Sequence, residues 1–253
     1  MRRMVPQICQ VEAVQCASEH EAAWLERNLL ERSKPRWNRV RGGLEVPVHL
    51  RLDPGPRAPS LTLVHEVSGP LAHFGPYLGG TRVRTALTAL ASIHPVAYSG
   101  EDLVGSARAM AEAHGVAPGH RAGLVAALTA ALERDEGAVA HAVGVLVERR
   151  DRAVGDLEFE RAAFVQDQIE AFAWLVSPQR VTTRAAADGR IAGWSDGLLV
   201  EFGMVAGRLS TWSCRPASRG EAATHLAATR EELTEFAQVN AELAARLRAG
   251  HRG

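Results

Sequence analysis

From Pro6 to Gln15 the apolar residues Ile8, Val11 and Val14 are interspersed with polar ones, a pattern that predicts a short strand. Ser18-Glu19-His20-Glu21 has the S-x-x-E form of a capping box, in which a hydroxyl and a carboxylate satisfy the first free amides of a helix. Ala22, Leu25 and Leu29 follow at helical spacing. Pro35 sets the end of this helix, because the residue before a proline avoids the helical region. Strands are predicted at 46–52 and 61–67, on either side of the Pro- and Gly-rich loop 53–59. Phe74-Gly75-Pro76-Tyr77 and Leu78-Gly79-Gly80 read as turn chemistry. Val83, Leu87 and Leu90 then mark one face of a helix over 81–93.

The pattern from Glu101 to Ala153 is helical, broken at Gly115, at Pro118-Gly119 and near Asp135 to Gly137. After a Gly155-Asp156 break, Phe159, Ala162, Ala163, Ile169, Ala173 and Val176 form a helical stripe that Ser177-Pro178 ends. Strand character returns between Arg190 and Cys214, where 198–202 and 209–212 flank a turn from Gly203 to Gly207. Trp194, Phe202 and Trp212 are assigned to the core of this small β-region. A closing helix, near Glu221 to Leu247, carries Leu233, Phe236, Leu243 and Leu247. The fold class expected is α+β, mostly helical.

Composition changes this picture little. The 253 residues have a formal net charge of zero, with 46% hydrophobic and 23% charged residues, as in ordinary globular chains. A nucleic-acid partner would therefore need a local basic patch. Lys34 is the only lysine among otherwise arginine cations, a usage that also fits a GC-rich genome. Cys9, Cys16 and Cys214 make an odd count without C-x-x-C spacing, so neither a disulfide framework nor a zinc site is expected. No signal-peptide pattern and no long apolar run is present, so no membrane contact is expected and a cytoplasmic location is.

Three segments carry chemistry by resemblance. Ser18 to Leu30, followed by Lys34-Pro35-Arg36-Trp37-Asn38, resembles the end of the GIY-YIG nuclease domain of the UvrC nucleotide-excision-repair family, with its SE-x-EA-x-x-LE-x-x-LI and KPRYN patterns. Phe74 to Tyr77, with Arg82 and Arg84, matches that family's FGPY segment and the arginine after it. Phe159-Glu160-Arg161-Ala162-Ala163 and Asp167-Gln168-Ile169 match its UVR motif, FE-x-AA-x-x-RDxI. The motifs occur in the family's order over roughly the first 180 residues.

The resemblance implies segments at 1–70 (distal half of a GIY-YIG α/β module), 71–150 (FGPY linker and helical region) and 151–180 (UVR helical hairpin), and the residue pattern beyond it gives 181–253 as a small β-hairpin region with a C-terminal helix. It implies that Glu26 binds a catalytic Mg²⁺ or Mn²⁺ and that Asn38 supports that site. A hard cation takes oxygen ligands, and one carboxylate with waters and a substrate phosphate can hold it. Read alone, a glutamate on a helix is a solvated surface residue. The family also uses two tyrosines and an arginine from strands and a helix ahead of the matched segment. Here Tyr77 and Tyr98 both follow Asn38, so the nuclease site is expected to be incomplete, either because a misplaced start codon removes those strands or because the chain is a non-catalytic module.

Other departures are Trp37 for a tyrosine, Gln166 for the UVR arginine, and Ile93-His94-Pro95 where the family has a cysteine-bearing segment; no zinc or iron–sulfur cluster is expected. The chain is similar in these respects to short UvrC-type proteins and to the UvrC-like half of exonuclease–UvrC fusions. Arg32, Lys34, Arg36, Arg39 and Arg41, beside Trp37, would contact double-stranded DNA by phosphate neutralisation and stacking, or would form a solvated helix end. In the family a UvrB-like protein docks on the UVR hairpin, here 156–176. Phe159, Ala162, Ala163, Asp167 and Ile169 are the expected contacts, unless the hairpin simply packs within its own chain.

Overall fold

A computed structural model describes residues 5–8, 11–33, 46–178, 188–205 and 208–250. They form two compact units, Met1–Glu45 with Pro178–Gly253, and Val46–Ser177. The fold is mixed and mostly helical, with 57% of residues in helices and two small antiparallel sheets. Contact thus cuts the chain at 45/46, inside the segment 1–70 that the resemblance groups together.

The discontinuous unit is built on the sheet β4 (Gly189–Ser195), β5 (Leu198–Val205) and β6 (Arg208–Pro216), paired in that order. Alternation along the strands gives the sheet two apolar faces. Ile191, Val200, Phe202, Met204 and Leu209 meet α1 (Glu19–Ser33) through Leu25, and α8 (Glu231–Gly250) through Leu233, Phe236 and Ala241. On the other face Ala192 and Leu199 meet Ala222 of α7 (Arg219–Ala227). Phe202 is fully buried, and Trp194 and Trp212 pack at the edges of these clusters, as the sequence suggests.

Three expectations need correction in this unit. Among the described residues, 5–15 hold no strand but one 3-10 turn at Val5–Gln7. The backbone of Gln15 is satisfied by a side chain: its N–H donates to Asn240 Oδ1 at 2.7 Å and its carbonyl accepts from Asn240 Nδ2 at 3.0 Å. The β-region has a third strand, β4, whose Gly and Ala residues disguise it. Finally, the closing helix is two. Ser218 and Glu221 form a capping box that starts α7, and Thr229, between α7 and α8, bonds the backbone of Ala192.

The second unit packs the sheet β2 (Ser60–Val64), β1 (Val48–Asp53) and β3 (Ala72–Tyr77), in that spatial order, against a helical layer. The FGPY segment is therefore strand and not turn. Phe74 and Tyr77 face the core, and a register shift opposite Val48–Leu50 absorbs the intervening Gly75-Pro76. The helices are α2 (Gly80–Ile93), α3 (Gly105–Ala113), α4 (Arg121–Leu132), α5 (Glu136–Gly155) and α6 (Phe159–Leu175). Val48, Leu50, Leu52, Leu90, Leu128, Phe172 and Leu175 lie in one core cluster.

Close approach at Gly193 is a strong constraint on the first unit. A Cβ there would lie 2.0 Å from the Ala237 carbonyl oxygen of α8. Gly193→Ala should therefore destabilise by about 1–3 kcal/mol or more, through overpacking. Gly144, exposed on α5 with nothing within 4 Å of its missing Cβ, is the contrast: Gly144→Ala should stabilise by about 0.5–1 kcal/mol. Urea unfolding of the two variants beside the parent checks both signs.

Candidate functional site

The side chains of Ser18 and Glu21 both cap the start of α1, the glutamate through the amide of Ala17. Ser18 Oγ accepts from the Glu21 amide at 3.3 Å, and Glu21 Oε2 accepts from the Ala17 amide at 2.6 Å. The buried stripe of α1 is His20, Glu21, Trp24 and Leu25, with Leu29 partly buried, while Ala22 is exposed. It is rotated from the Ala22–Leu25–Leu29 stripe because Trp24, with 0% exposure, takes the central position. Asn28 also turns inward, donating from Nδ2 to the Leu209 carbonyl.

Glu26 consequently lies on the exposed side of α1. Asn38, Lys34, Arg36, Trp37, Arg39 and Arg41 lie outside the described residues, and Arg32 lies in the last turn of α1. The two tyrosines are engaged elsewhere. Tyr77 is 2% exposed in the core of the second unit, and Tyr98 stacks on His114 with ring centroids 5.2 Å apart. Among the described residues no group of three His, Cys, Asp or Glu side chains could hold a metal ion.

The second site is the α5–α6 hairpin. Its turn is a Schellman closure: the Leu157 amide donates to the Val154 carbonyl at 3.0 Å, and the Glu158 amide to Ala153 at 2.8 Å. That closure puts Leu157 at φ +61°, the left-handed region where glycine is the unstrained choice. Leu157 is 73% exposed, Phe159 63%, Phe164 52% and Val154 46%, so the tip is an apolar surface. Ala163 and Asp167 are exposed beside it.

The inner side of α6 is already occupied. Ala162, Val165, Gln168, Ala171, Phe172 and Leu175 are buried, and Ile169 packs on the cluster of Ala89, Leu146 and Val165 from α2, α5 and α6. The apolar stripe is thus covered within its own chain, where the sequence suggested that a partner could cover it. Of the five expected contacts, Phe159, Ala163 and Asp167 face outward, whereas Ala162 and Ile169 turn inward. Gln166, standing where the family has arginine, accepts from Arg150 Nη1 and donates to Glu170 Oε1, each at 3.0 Å.

Two motifs far apart in sequence meet in this unit. Tyr77 of FGPY lies 6.2 Å from the Trp174 ring of α6, and the Arg82 guanidinium sits 5.3 Å over that ring. Gly79, at φ +112°, brings the backbone so close that a Cβ would lie 3.2 Å from Trp174. Burial pushes the Tyr77 phenol up to about 12, with Arg134 opposing the shift. Sequence reading missed this cluster, because Trp174 lies outside every motif. The Gly-Gly pair after FGPY was the available signal.

Comparison with known proteins gives the family resemblance its measure. The chain is 29% identical over 206 residues to "UvrABC system protein C" of Syntrophotalea carbinolica, covering 76% of this chain and 33% of that protein. It is 29% identical over 201 residues to the protein of that name from Geobacter metallireducens, covering 74% and 32%. Over 85 residues it is 38% identical to that of Bdellovibrio bacteriovorus, covering 32% and 13%. The chain is UvrC-like. It spans about a third of the length of the first two curated relatives. No protein-family model matches it, and no solved structure does. Among the described residues of this UvrC-like chain no helix is long and apolar enough to cross a membrane.

A cleft of about 90 Å³ in the first unit is lined by Gln15, Cys16, Ala17, Glu235, Phe236, Val239 and Asn240. It holds no ready nucleophile, because burial, followed by the charge of Glu21, pushes the Cys16 thiol up to about 11. At pH 8 the folded protein should alkylate at Cys16 far more slowly with iodoacetamide than the urea-unfolded chain does, as mass spectrometry of the labelled peptide would show. The raised pKa also carries a sign: it stabilises fully below the unfolded value of 9.0, and that contribution is lost as pH rises toward 11.

Proposed function

We propose that this chain serves nucleotide excision repair as a UvrC-type binding module, whose α5–α6 hairpin receives a UvrB-type partner and whose basic run at 32–41 meets the DNA backbone. The observation that carries the reading is the hairpin tip. A leucine in the left-handed region, mostly exposed and flanked by Phe159, Phe164 and Val154, serves neither solubility nor backbone stability. An incoming helical hairpin would cover these side chains and offset both costs. Ala163 offers a small residue on which such a helix can lie close, and Asp167 a carboxylate at its rim.

The DNA contact rests on family resemblance and on arginine and lysine chemistry at Arg32, Lys34, Arg36, Arg39 and Arg41, with Trp37 for stacking. Such contacts would be indifferent to sequence. The distal-GIY-YIG ancestry of 1–70 and a cytoplasmic site of action belong to the same proposal. By the same resemblance Glu26 and Asn38 belong to a Mg²⁺- or Mn²⁺-dependent site, whose two tyrosines and arginine are not matched within these 253 residues. The exposed hairpin tip supports the binding role.

Two measurements follow. Phe159→Ala with Phe164→Ala should weaken capture by a UvrB-type protein about tenfold or more while leaving the melting temperature unchanged, since both side chains are exposed. Leu157→Gly should separate the two properties, raising stability by about 1 kcal/mol through relief of the positive φ and weakening capture. Unaltered capture by either variant would remove the tip from the account. In a nicking assay on ultraviolet-damaged plasmid with Mg²⁺, the chain and its Glu26→Ala variant should both stay at background. Nicking by the parent that the variant loses would restore the nuclease.

A further inference from the structure

The face of the β2-β1-β3 sheet turned away from the core carries a polar row that the repair reading does not use. Val48, Leu50 and Leu52 of β1, Leu61 and Leu63 of β2, and Phe74 of β3 all face the core cluster. Alternation therefore places His49, Arg51 and Asp53, Ser60, Thr62 and Val64, and His73 on the opposite face. The register makes Arg51 the direct cross-strand partner of Thr62 on one side and of His73 on the other. Directly opposed residues bring their Cβ atoms to about 5 Å of one another. Thr62, Arg51 and His73 thus form one contiguous line across three strands.

Among the described residues each member of that line has a buried polar atom with no hydrogen-bond partner: Thr62 Oγ1, Arg51 Nε and His73 Nε2. Native structures leave few such atoms, and three in adjacent register positions require an explanation. Arg51 is the most costly of the three. It is partly buried, and among the described residues it has no ion-pair partner. Asp53, the nearest acid along the strand, has Oδ1 turned to the Gly55 amide at 2.8 Å. A partly desolvated guanidinium without a counterion is a standing demand for an anion.

The chemistry of the other two groups agrees. His73 Nδ1 lies 2.7 Å from the Leu71 carbonyl, which can only accept, so Nδ1 carries a proton. With both ring nitrogens carrying protons, Nε2 is a donor as well. A threonine hydroxyl donates equally well. A cation is excluded by the permanent charge of Arg51.

We propose that Thr62, Arg51 and His73 form an oxyanion-binding site of phosphate class. Arg51 supplies a planar fork for two phosphate oxygens, and His73 and Thr62 donate from either side. Two sources share this chemistry, a free phosphate or nucleotide and a DNA phosphodiester. The site rests on sheet register and unpaired donors, and it stands or falls separately from the hairpin and from the run at 32–41.

The test is calorimetric titration of the full chain, at low salt and pH 6.5, with inorganic phosphate, with 5′-dAMP and with a short DNA duplex. Arg51→Met, which keeps the stem and removes the charge, should weaken binding about tenfold or more, and Thr62→Val by a few fold. Phosphate should raise the melting temperature of the parent and not that of Arg51→Met. Without ligand Arg51→Met should melt no lower than the parent, because it removes an unpaired charge. Phosphate and nucleotide binding without Arg51-dependent duplex binding identifies the small anion, and duplex binding lost in Arg51→Met identifies the backbone. Absence of binding by the parent, or binding that Arg51→Met leaves intact for all three probes, overturns the site.

Discussion

The packing of α6 against α2 and α5 decides what the hairpin can offer. Phe172 is fully buried and Leu175 nearly so, and Ala162, Val165 and Ala171 carry the same contact toward the turn. Burying one large apolar side chain contributes roughly 1.5–3 kcal/mol, so a side already covered by α2 is not readily surrendered to a partner. Only the tip, where the inner packing stops, remains to meet another molecule. There Leu157 closes α5 in a conformation suited to glycine, and Phe159 and Phe164 stand in solvent.

A related constraint governs the other unit, whose core is assembled from segments far apart in the chain. Asn240 bonds both backbone groups of Gln15 across 225 positions, and α1 and α8 share one face of a sheet that begins at Gly189. Their side chains complete one apolar cluster around Phe202. Gly193 permits the backbone of α8 to approach that sheet, so one glycine sets the spacing of the layer. Glu26 is exposed for the same reason that Trp24 is buried. A helix with one side on a sheet must present its other side to water.

Local signals in the sequence decide the structure where they act alone. The α1 cap and the breaks at Gly115, Pro118-Gly119 and Gly155-Asp156 coincide with observed element ends, while Pro35 lies outside the described residues. Helix–sheet ambiguity arose where tertiary contact decides. FGPY contains turn residues, yet Phe74 and Tyr77 bury in the core and draw the segment into β3. β4 is rich in small residues because α8 lies on it, and small residues do not announce a strand. Ser218 and Glu221 carry a capping box that divides what apolar spacing alone reads as one helix. For the site, outward and inward residues of the UVR stripe could not be sorted before it was known that α2 covers one side. The row of Thr62, Arg51 and His73 needed the strand register, which periodicity does not supply.

Hydrogen exchange of the full chain, with and without the C-terminal helical hairpin of a UvrB-type protein, tests the central claim most directly. The account predicts slowed exchange at 153–164, around the tip, with the amides of α2 unchanged because its contact with α6 is kept. Exchange that quickens along α2, or a tip that shows no slowing under saturating partner, would contradict it.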